Sequence, residues 1–464
     1  MLNITDYRFA TYQKHVKALW TLSLPMLLAQ IAATGTGFVD TVMAGGAGTS
    51  DLAAVALGNS FTITIYITLM GVMTALNPIL SQKFGAKAGL EIGEIGRQGL
   101  WLGLMLGLLS MAILWSMIGV FKATISLDAK TLAIAGDYIW YVGLGMPAAL
   151  IFRALSAYAL SLARPNAISV VSWLGFFLNI PLNYAFVYGK WGMPALGGAG
   201  CGVATAIVFW VSTVLLGAYI ASSRYFAPFG LMNKFSPPNK AMLWQFLRLG
   251  TPIGLSFFIE VSLFTCIMFL VANLDGDTKH LVAAQQIAIS IATIIYMLPQ
   301  SIGAATTTQV GFYLGKANPK KARYSAGVAI SLAMLLSLLT ALLLIGSRSW
   351  LASLYTDDTA VIEIVASLMV FAAAFQLIDA IQTVASYALR GYKITKFPML
   401  IHMVAFWGFG LLPGYYLAVY QGLGIYGFWC GLILALAVAA VCLLWYLVVF
   451  SQKNIDKSRQ VRGY

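Results

Sequence analysis

Charged side chains are scarce in this chain of 464 residues: they make up 9% of it, whereas hydrophobic residues make up 60%. So few polar groups cannot cover a soluble globule, which excludes a water-soluble protein. The composition indicates a membrane protein with many spans. The formal net charge of +13 comes mostly from basic residues in the connections, where membrane topology explains it without a nucleic-acid partner.

Cysteine and histidine are also rare, with four and three residues. The cysteines form no CxxC pair and the histidines have no ligand spacing, so we expect neither disulfides nor a transition-metal site. HExxH and GxxxxGK[ST] are absent from the sequence, which argues against a metalloprotease and an ATP-driven pump. We therefore expect no enzyme and no cofactor. No cleavable leader is expected, since the first apolar stretch, at about 19–44, is long enough to span a bilayer.

Long apolar stretches predict an all-α integral membrane protein with twelve transmembrane helices. We expect an N-terminal lobe (1–221), a cytoplasmic linker (222–243) and a C-terminal lobe (244–464). The predicted spans lie at about 18–44, 52–80, 97–121, 131–157, 165–188, 196–221, 244–273, 281–314, 323–347, 360–389, 397–420 and 425–450.

The two halves carry matching sequences in the same order. Residues 84–87 match 314–317, and residues 156–160 match 385–389. Because each half has six spans, the halves share one orientation and are related by a pseudo-two-fold axis along the membrane normal. Basic residues concentrate in the N-terminal arm, in the second, eighth and tenth connections and in the tail. By the positive-inside rule both termini are cytoplasmic, and we expect the bacterial cytoplasmic (inner) membrane.

Three lone carboxylates, Asp40, Glu260 and Asp379, fall inside apolar spans 1, 7 and 10. An ionisable group at bilayer depth costs roughly 2.5 to 3.5 kcal/mol on insertion scales, so it is retained where it faces a protein interior or an aqueous cavity. We interpret these acids as cation-handling groups of a transporter. Structural hydrogen bonding between helices is the alternative.

Polar residues at helical spacing extend the acids into candidate sites. Their oxygens suit Na⁺ as a hard cation, and the carboxylates also suit protons. Buried amides also often only tie helices together. The candidates are Gln376 and Gln382 beside Asp379, the stripe Gln286, Ser290 and Tyr296 on span 8, and Asn179 and Asn183 one turn apart on span 5, which could accompany Asp40.

Asp357 and Asp358 precede span 10 on the outer side. A pair of this kind is more often a helix-start signal than a binding site. Contact with a cationic drug near the outer mouth is the second interpretation of the pair.

The segments Phe38–Gly45 (FVDTVMAG), Tyr296–Gly303 (YMLPQSIG) and Tyr387–Gly391 (YALRG) resemble the multidrug and toxic compound extrusion (MATE) family, in its NorM branch. So does the segment from Pro252 to Glu260. The resemblance covers essentially the whole chain. It implies two six-helix lobes that form a V-shaped cleft, and export of organic cations in exchange for Na⁺ or H⁺.

The resemblance also assigns residues. It implies coupling-cation binding at Glu260 and Asp379, with Tyr296 nearby, and proton, cation or drug binding at Asp40. By the same resemblance Asn179, Asn183 and Thr205 complete a cation site in the N-terminal lobe. Some relatives have an acid at the place of Asn183, so this chain carries less negative charge there.

The expected partners are the lipid bilayer and small organic cations such as ethidium and fluoroquinolone-type drugs, with a monomeric protein. The alternative function is a flippase for lipid-linked saccharides of a related fold. A pyrophosphate headgroup would require Arg or Lys in the cleft, whereas the lone charges at mid-membrane depth are acidic. An ion channel is a further alternative, which conductance above carrier turnover would reveal.

Overall fold

The computed structural model describes residues 9–124, 128–274 and 278–461. Within these ranges the chain is helical and contains no strand. The helices are α1 Phe9–Ala47, α2 Thr49–Met73, α3 Leu76–Gly85, α4 Gly89–Thr124, α5 Ala129–Ser161, α6 Asn166–Tyr188, α7 Gly198–Ser222, α8 Lys240–Val271, α9 Thr278–Gly315, α10 Pro319–Ser353, α11 Thr359–Gly391, α12 Lys396–Met403, α13 Leu412–Tyr415 and α14 Ile425–Val461.

Twelve segments of the described chain are long and apolar enough to cross a membrane. Helices α2 and α3 together form one of them, Thr49–Gly85, and the irregular helix Lys396–Tyr420 forms another. The segment Asn166–Tyr188 has 23 residues. At 1.5 Å per residue this is about 35 Å, more than the hydrocarbon core of about 30 Å. The predicted all-α fold with twelve membrane-spanning helices is confirmed.

Span 2 is interrupted by a proline. Pro78 lacks an N–H group, and its ring excludes the helical hydrogen bond to the carbonyl of Thr74. Asn77 N donates to that carbonyl instead, at 3.1 Å, and Ala75 N donates to Val72 O at 3.2 Å. The helix therefore tightens between α2 and α3.

Span 11 departs from α-helix in the other direction. Wider π-helical turns at Val404–Leu411 and Tyr416–Tyr420 flank α13, which contains Pro413. By contrast Pro25, Pro252 and Pro299 lie within helices α1, α8 and α9, which run on through them. Hydropathy alone predicts neither irregular span, because it reports polarity and not hydrogen-bond register.

By the density of their contacts the residues form two compact units. One comprises Pro25–Gly254, and the other comprises Leu255–Tyr464 together with the chain up to Leu24. These boundaries fall inside α1 and α8. The division follows packing and not the sequence repeat, so the halves 1–221 and 244–464 stay a prediction.

Within the unit Pro25–Gly254, glycines bring α4 and α5 into close contact. A Cβ at Gly107 would lie 2.4 Å from Pro147 Cα, and one at Gly103 would lie 2.8 Å from Leu150 O. Only glycine permits this approach of two backbones. Tight packing of α4 on α5 follows.

The segment after α7 is fastened to the start of α4 by polar contacts. Arg97 Nη1 donates to Gly230 O at 2.6 Å, and Arg97 Nε donates to Ser236 Oγ at 2.9 Å. Gln98 Nε2 donates to Pro237 O at 2.8 Å. The predicted linker is therefore held against the unit Pro25–Gly254 along much of its length.

In the other unit, an apolar cluster surrounds Trp429 of α14 and Phe406 of the first π-helical turn. Trp429 Nε1 donates to Gln285 Oε1 at 2.9 Å. The buried indole N–H is thereby satisfied, as burial of its polar group requires. This cluster positions α9 and α14 beside α11, which carries Asp379.

Candidate cation-binding sites

The first candidate site surrounds Asp40 in the middle of the unit Pro25–Gly254. Its carboxylate is 6% exposed. Asn179 and Asn183 of α6 each donate from Nδ2 to Asp40 Oδ1, at 3.1 and 2.6 Å. Thr205 of α7 donates from Oγ1 to Asp40 Oδ2 at 2.9 Å. The sequence spacing had predicted the two amides near Asp40, and the resemblance had added the hydroxyl.

These donors offset part of the cost of burying a carboxylate. The two amides also bond to each other, with Asn183 Nδ2 at 2.9 Å from Asn179 Oδ1. Asn183 Oδ1 is buried and has no hydrogen-bond partner. Such an orphaned acceptor beside a carboxylate is a place where a proton or another positively charged group can be received.

The second candidate site surrounds Asp379 of α11 in the other unit. This residue is 3% exposed. Gln382 Nε2 donates to Asp379 Oδ1 at 2.9 Å, and Thr383 Oγ1 donates to the same atom at 3.3 Å. His402 Nε2 lies 3.0 Å from Gln382 Oε1. An aspartate, an amide and an imidazole thus form a buried chain from α11 to α12.

A small cavity lies next to this chain. Gln382 and Thr383 line it together with Glu260 of α8, Tyr296 of α9 and Ser386 of α11. The centre of a water-sized particle has about 10 Å³ in which to move, near the minimum that holds one water. Ser386 Oγ is buried there without a hydrogen-bond partner. The structure thus brings together the predicted residues Glu260, Tyr296 and Gln382, with Asp379 directly behind the cavity wall.

Two further residues of the cavity wall are Arg390 and His402, and sequence reasoning did not include them in a site. Arg390 was counted among the basic residues that set orientation, and His402 was dismissed for lack of ligand spacing. A signal was present for the arginine. Asp379, Thr383, Ser386 and Arg390 follow the positions i, i+4, i+7 and i+11, which lie on one face of a helix.

The other candidates of the C-terminal half lie elsewhere. Gln286 is exposed and lines a separate groove with Lys279 and Met268. Ser290 lies one turn further along α9 and is not in the cavity wall. Gln376 is buried but hydrogen-bonds through Nε2 to Thr340 Oγ1 of α10, so its amide ties two helices together.

Asp358 marks the start of α11, as its position suggested. Its Oδ1 accepts hydrogen bonds from Ala360 N at 2.9 Å and Val361 N at 3.4 Å. The backbone N–H groups of Val361 and Ala360, with the neighbouring His280, hold the pKa of Asp358 below its usual value. Asp357 beside it is exposed. A drug contact at this pair stays a prediction.

Twelve membrane-spanning helices that enclose carboxylates, without a catalytic residue set in the sequence, define a membrane transporter and not an enzyme. Comparison with known proteins identifies the family. The MatE family model matches residues 25–185 and 252–416. The chain belongs to the MatE family, which confirms the resemblance found in its sequence.

Individual relatives narrow this further. The chain is 50% identical over 461 residues to the "Probable multidrug resistance protein NorM" of Neisseria meningitidis serogroup B, covering 99% of this chain and 100% of the relative. It is 38% identical to the "Multidrug resistance protein PmpM" of Pseudomonas aeruginosa, covering 96% and 94%. The solved structure of the MATE transporter NorM-NG, in complex with a dye and a monobody, shares 50% identity, covers 94% of each chain and has a TM-score of 0.77. These relatives confirm the NorM branch.

Proposed function

We propose that this protein is a multidrug efflux transporter that exports organic cations in exchange for inward Na⁺ or H⁺. The cavity beside Asp379 carries the proposal. It combines the carboxylate of Glu260 with the buried Ser386 hydroxyl that lacks a partner. Oxygen ligands of this kind suit Na⁺ as a hard cation, and the carboxylates equally suit protons.

The names of the relatives support the choice of cargo. NorM of Neisseria meningitidis and PmpM are named as multidrug resistance proteins, and the NorM-NG structure is a complex with a dye. A monomer in the bacterial inner membrane with both termini in the cytoplasm fits the distribution of basic residues. The buried carboxylates supply the negative charge that an organic cation requires.

Exchange follows from competition for buried negative charge. An uncompensated carboxylate in a low-dielectric interior is costly, so a site that releases one cation favours uptake of another. The coupling ion and the drug must prefer different conformations, since a ligand with equal affinity for both shifts nothing. We assign the coupling ion to Glu260 and Asp379, with Tyr296 beside them.

The cluster around Asp40 is the second cation-handling site of the proposal. Its carboxylate accepts three hydrogen bonds from neutral donors, so it has partners even when no cation is bound. This arrangement suits reversible binding of a drug or a proton, because the donors lower the cost of the empty state.

A tenfold Na⁺ gradient supplies about 1.4 kcal/mol per ion. If one Na⁺ enters for each monovalent drug that leaves, charge balances and the membrane voltage adds nothing. Each further inward charge adds about 2.3 kcal/mol per 100 mV.

The test uses purified protein in proteoliposomes with ethidium as the cargo. An imposed Na⁺ gradient at equal pH is compared with an imposed pH gradient without Na⁺. Ethidium movement against its gradient under either condition supports the proposal and identifies the coupling ion. Movement under neither condition would contradict it and favour the flippase of lipid-linked saccharides.

A further inference from the structure

Arg390 is a positive charge buried at the cavity beside Asp379. It is 5% exposed. Its guanidinium carbon lies 4.0 Å from the ring centre of Tyr387 and 5.1 Å from that of Phe257. Nη1 has no hydrogen-bond partner, although Arg390 lines the same cavity as Glu260 and Tyr296. Aromatic faces therefore hold this cation in place.

The position of Arg390 lets it act on the carboxylates without occupying them. Arg390 lies eleven residues after Asp379 on α11, about 16 Å along the helix axis. Its side chain is directed back toward the N-terminal end of the helix, as helical geometry favours. Glu260 interacts electrostatically with both Asp379 and Arg390. The carboxylate oxygens stay available to a mobile cation while the guanidinium contributes a permanent positive charge.

The formal charge of this cluster can be counted. Glu260 and Asp379 contribute two negative charges and Arg390 contributes one positive charge. His402 donates from Nε2 to Gln382 Oε1 and contributes none as a neutral imidazole. The sum is one negative charge, which a single monovalent cation neutralises.

We propose that Arg390 is an internal countercharge that limits the carboxylate pair Glu260 and Asp379 to one monovalent coupling cation. This proposal rests on the proposed function, because it concerns the site assigned to the coupling ion. Arg390 is a positioning residue that sets cation capacity through its charge. Without it, two buried carboxylates would require two cations for neutrality.

The test counts bound cations in purified full-length protein with radioactive Na⁺ at saturation. We expect one Na⁺ per unmodified protein and two for Arg390→Gln. We expect none for Glu260→Gln, because Asp379 and Arg390 then balance, and one again for the double variant Glu260→Gln with Arg390→Gln. Arg390→Lys keeps the charge and should bind one. A purely structural role for Arg390 would not restore binding in the double variant.

A count of two Na⁺ in the unmodified protein would overturn the proposal without reference to any variant, so misfolding of Arg390→Gln cannot hide failure. An unchanged count in well-folded Arg390→Gln would also overturn it. If the unmodified protein binds no Na⁺ but exports ethidium in a pH gradient, the same counts apply to protons released when ethidium binds. Absence of all ethidium export would instead contradict the proposed function.

Discussion

Replacing Thr205 with valine tests the cluster around Asp40 with almost no change of shape. The substitution removes the hydroxyl that donates to Asp40 Oδ2 at 2.9 Å and leaves both amide bonds to Oδ1 in place. A hydrogen bond to a charged group contributes about 1.5–3 kcal/mol, which corresponds to roughly 10- to 150-fold in an equilibrium constant. A bound cation compensates for part of this loss. We therefore expect Thr205→Val to bind an organic cation about tenfold more tightly and to export it more slowly.

The assay is fluorescence anisotropy of a cationic rhodamine dye with the purified protein, paired with export rates in proteoliposomes. Thr213→Val is the matched control, because its hydroxyl lies on the same helix and donates to the carbonyl oxygens of Ala148 and Phe209. The control should leave affinity unchanged. Unchanged or weaker binding by Thr205→Val would refute the role of Asp40 as a cation site.

Two further predictions concern packing and capping. Gly107→Ala places a Cβ 2.4 Å from Pro147 Cα, so we expect a thermal midpoint several degrees lower, about 1–3 kcal/mol of destabilisation, whereas Gly119→Ala on the same helix meets nothing within 4 Å and should not destabilise; equal midpoints would contradict the packing account. Asp358→Ala removes the cap of α11 and should lower thermal stability at neutral pH without affecting transport. Because the pKa of Asp358 is lowered in the folded protein, its contribution should be present above the unfolded value of about 3.9 and lost as pH falls further; equal sensitivity to acid in Asp358→Ala and the parent would contradict this.

Hydropathy predicted the twelve spans because each crossing leaves about 20 apolar residues in the sequence. The amides near Asp40 were also predictable, since Asn179 and Asn183 are four residues apart and so share a face of one helix. Thr205 was not predictable from spacing. No local rule states which part of span 6 packs against span 1, and only the family resemblance supplied this residue.

Arg390 escaped prediction because its burial depends on rings contributed by two helices, and a charge near a span end is ordinarily a sign of orientation. On α9 the difference is one residue. Gln286 is exposed, whereas its neighbour Gln285 is buried against Trp429. One residue is a rotation of about 100°, which a polar stripe read from sequence cannot resolve.

The assignment of the coupling ion to the cavity beside Asp379 is the central claim, and Glu260→Gln tests it most directly. The measurement is active ethidium export by cells or energised inverted vesicles in Na⁺ and in Na⁺-free buffer, each with and without a protonophore. Glu363→Gln is the matched control, since Glu363 is an exposed residue near the start of α11. We predict export driven by Na⁺ or by the proton gradient in the parent and in Glu363→Gln, and its loss in Glu260→Gln. Full coupled export by Glu260→Gln would contradict the account.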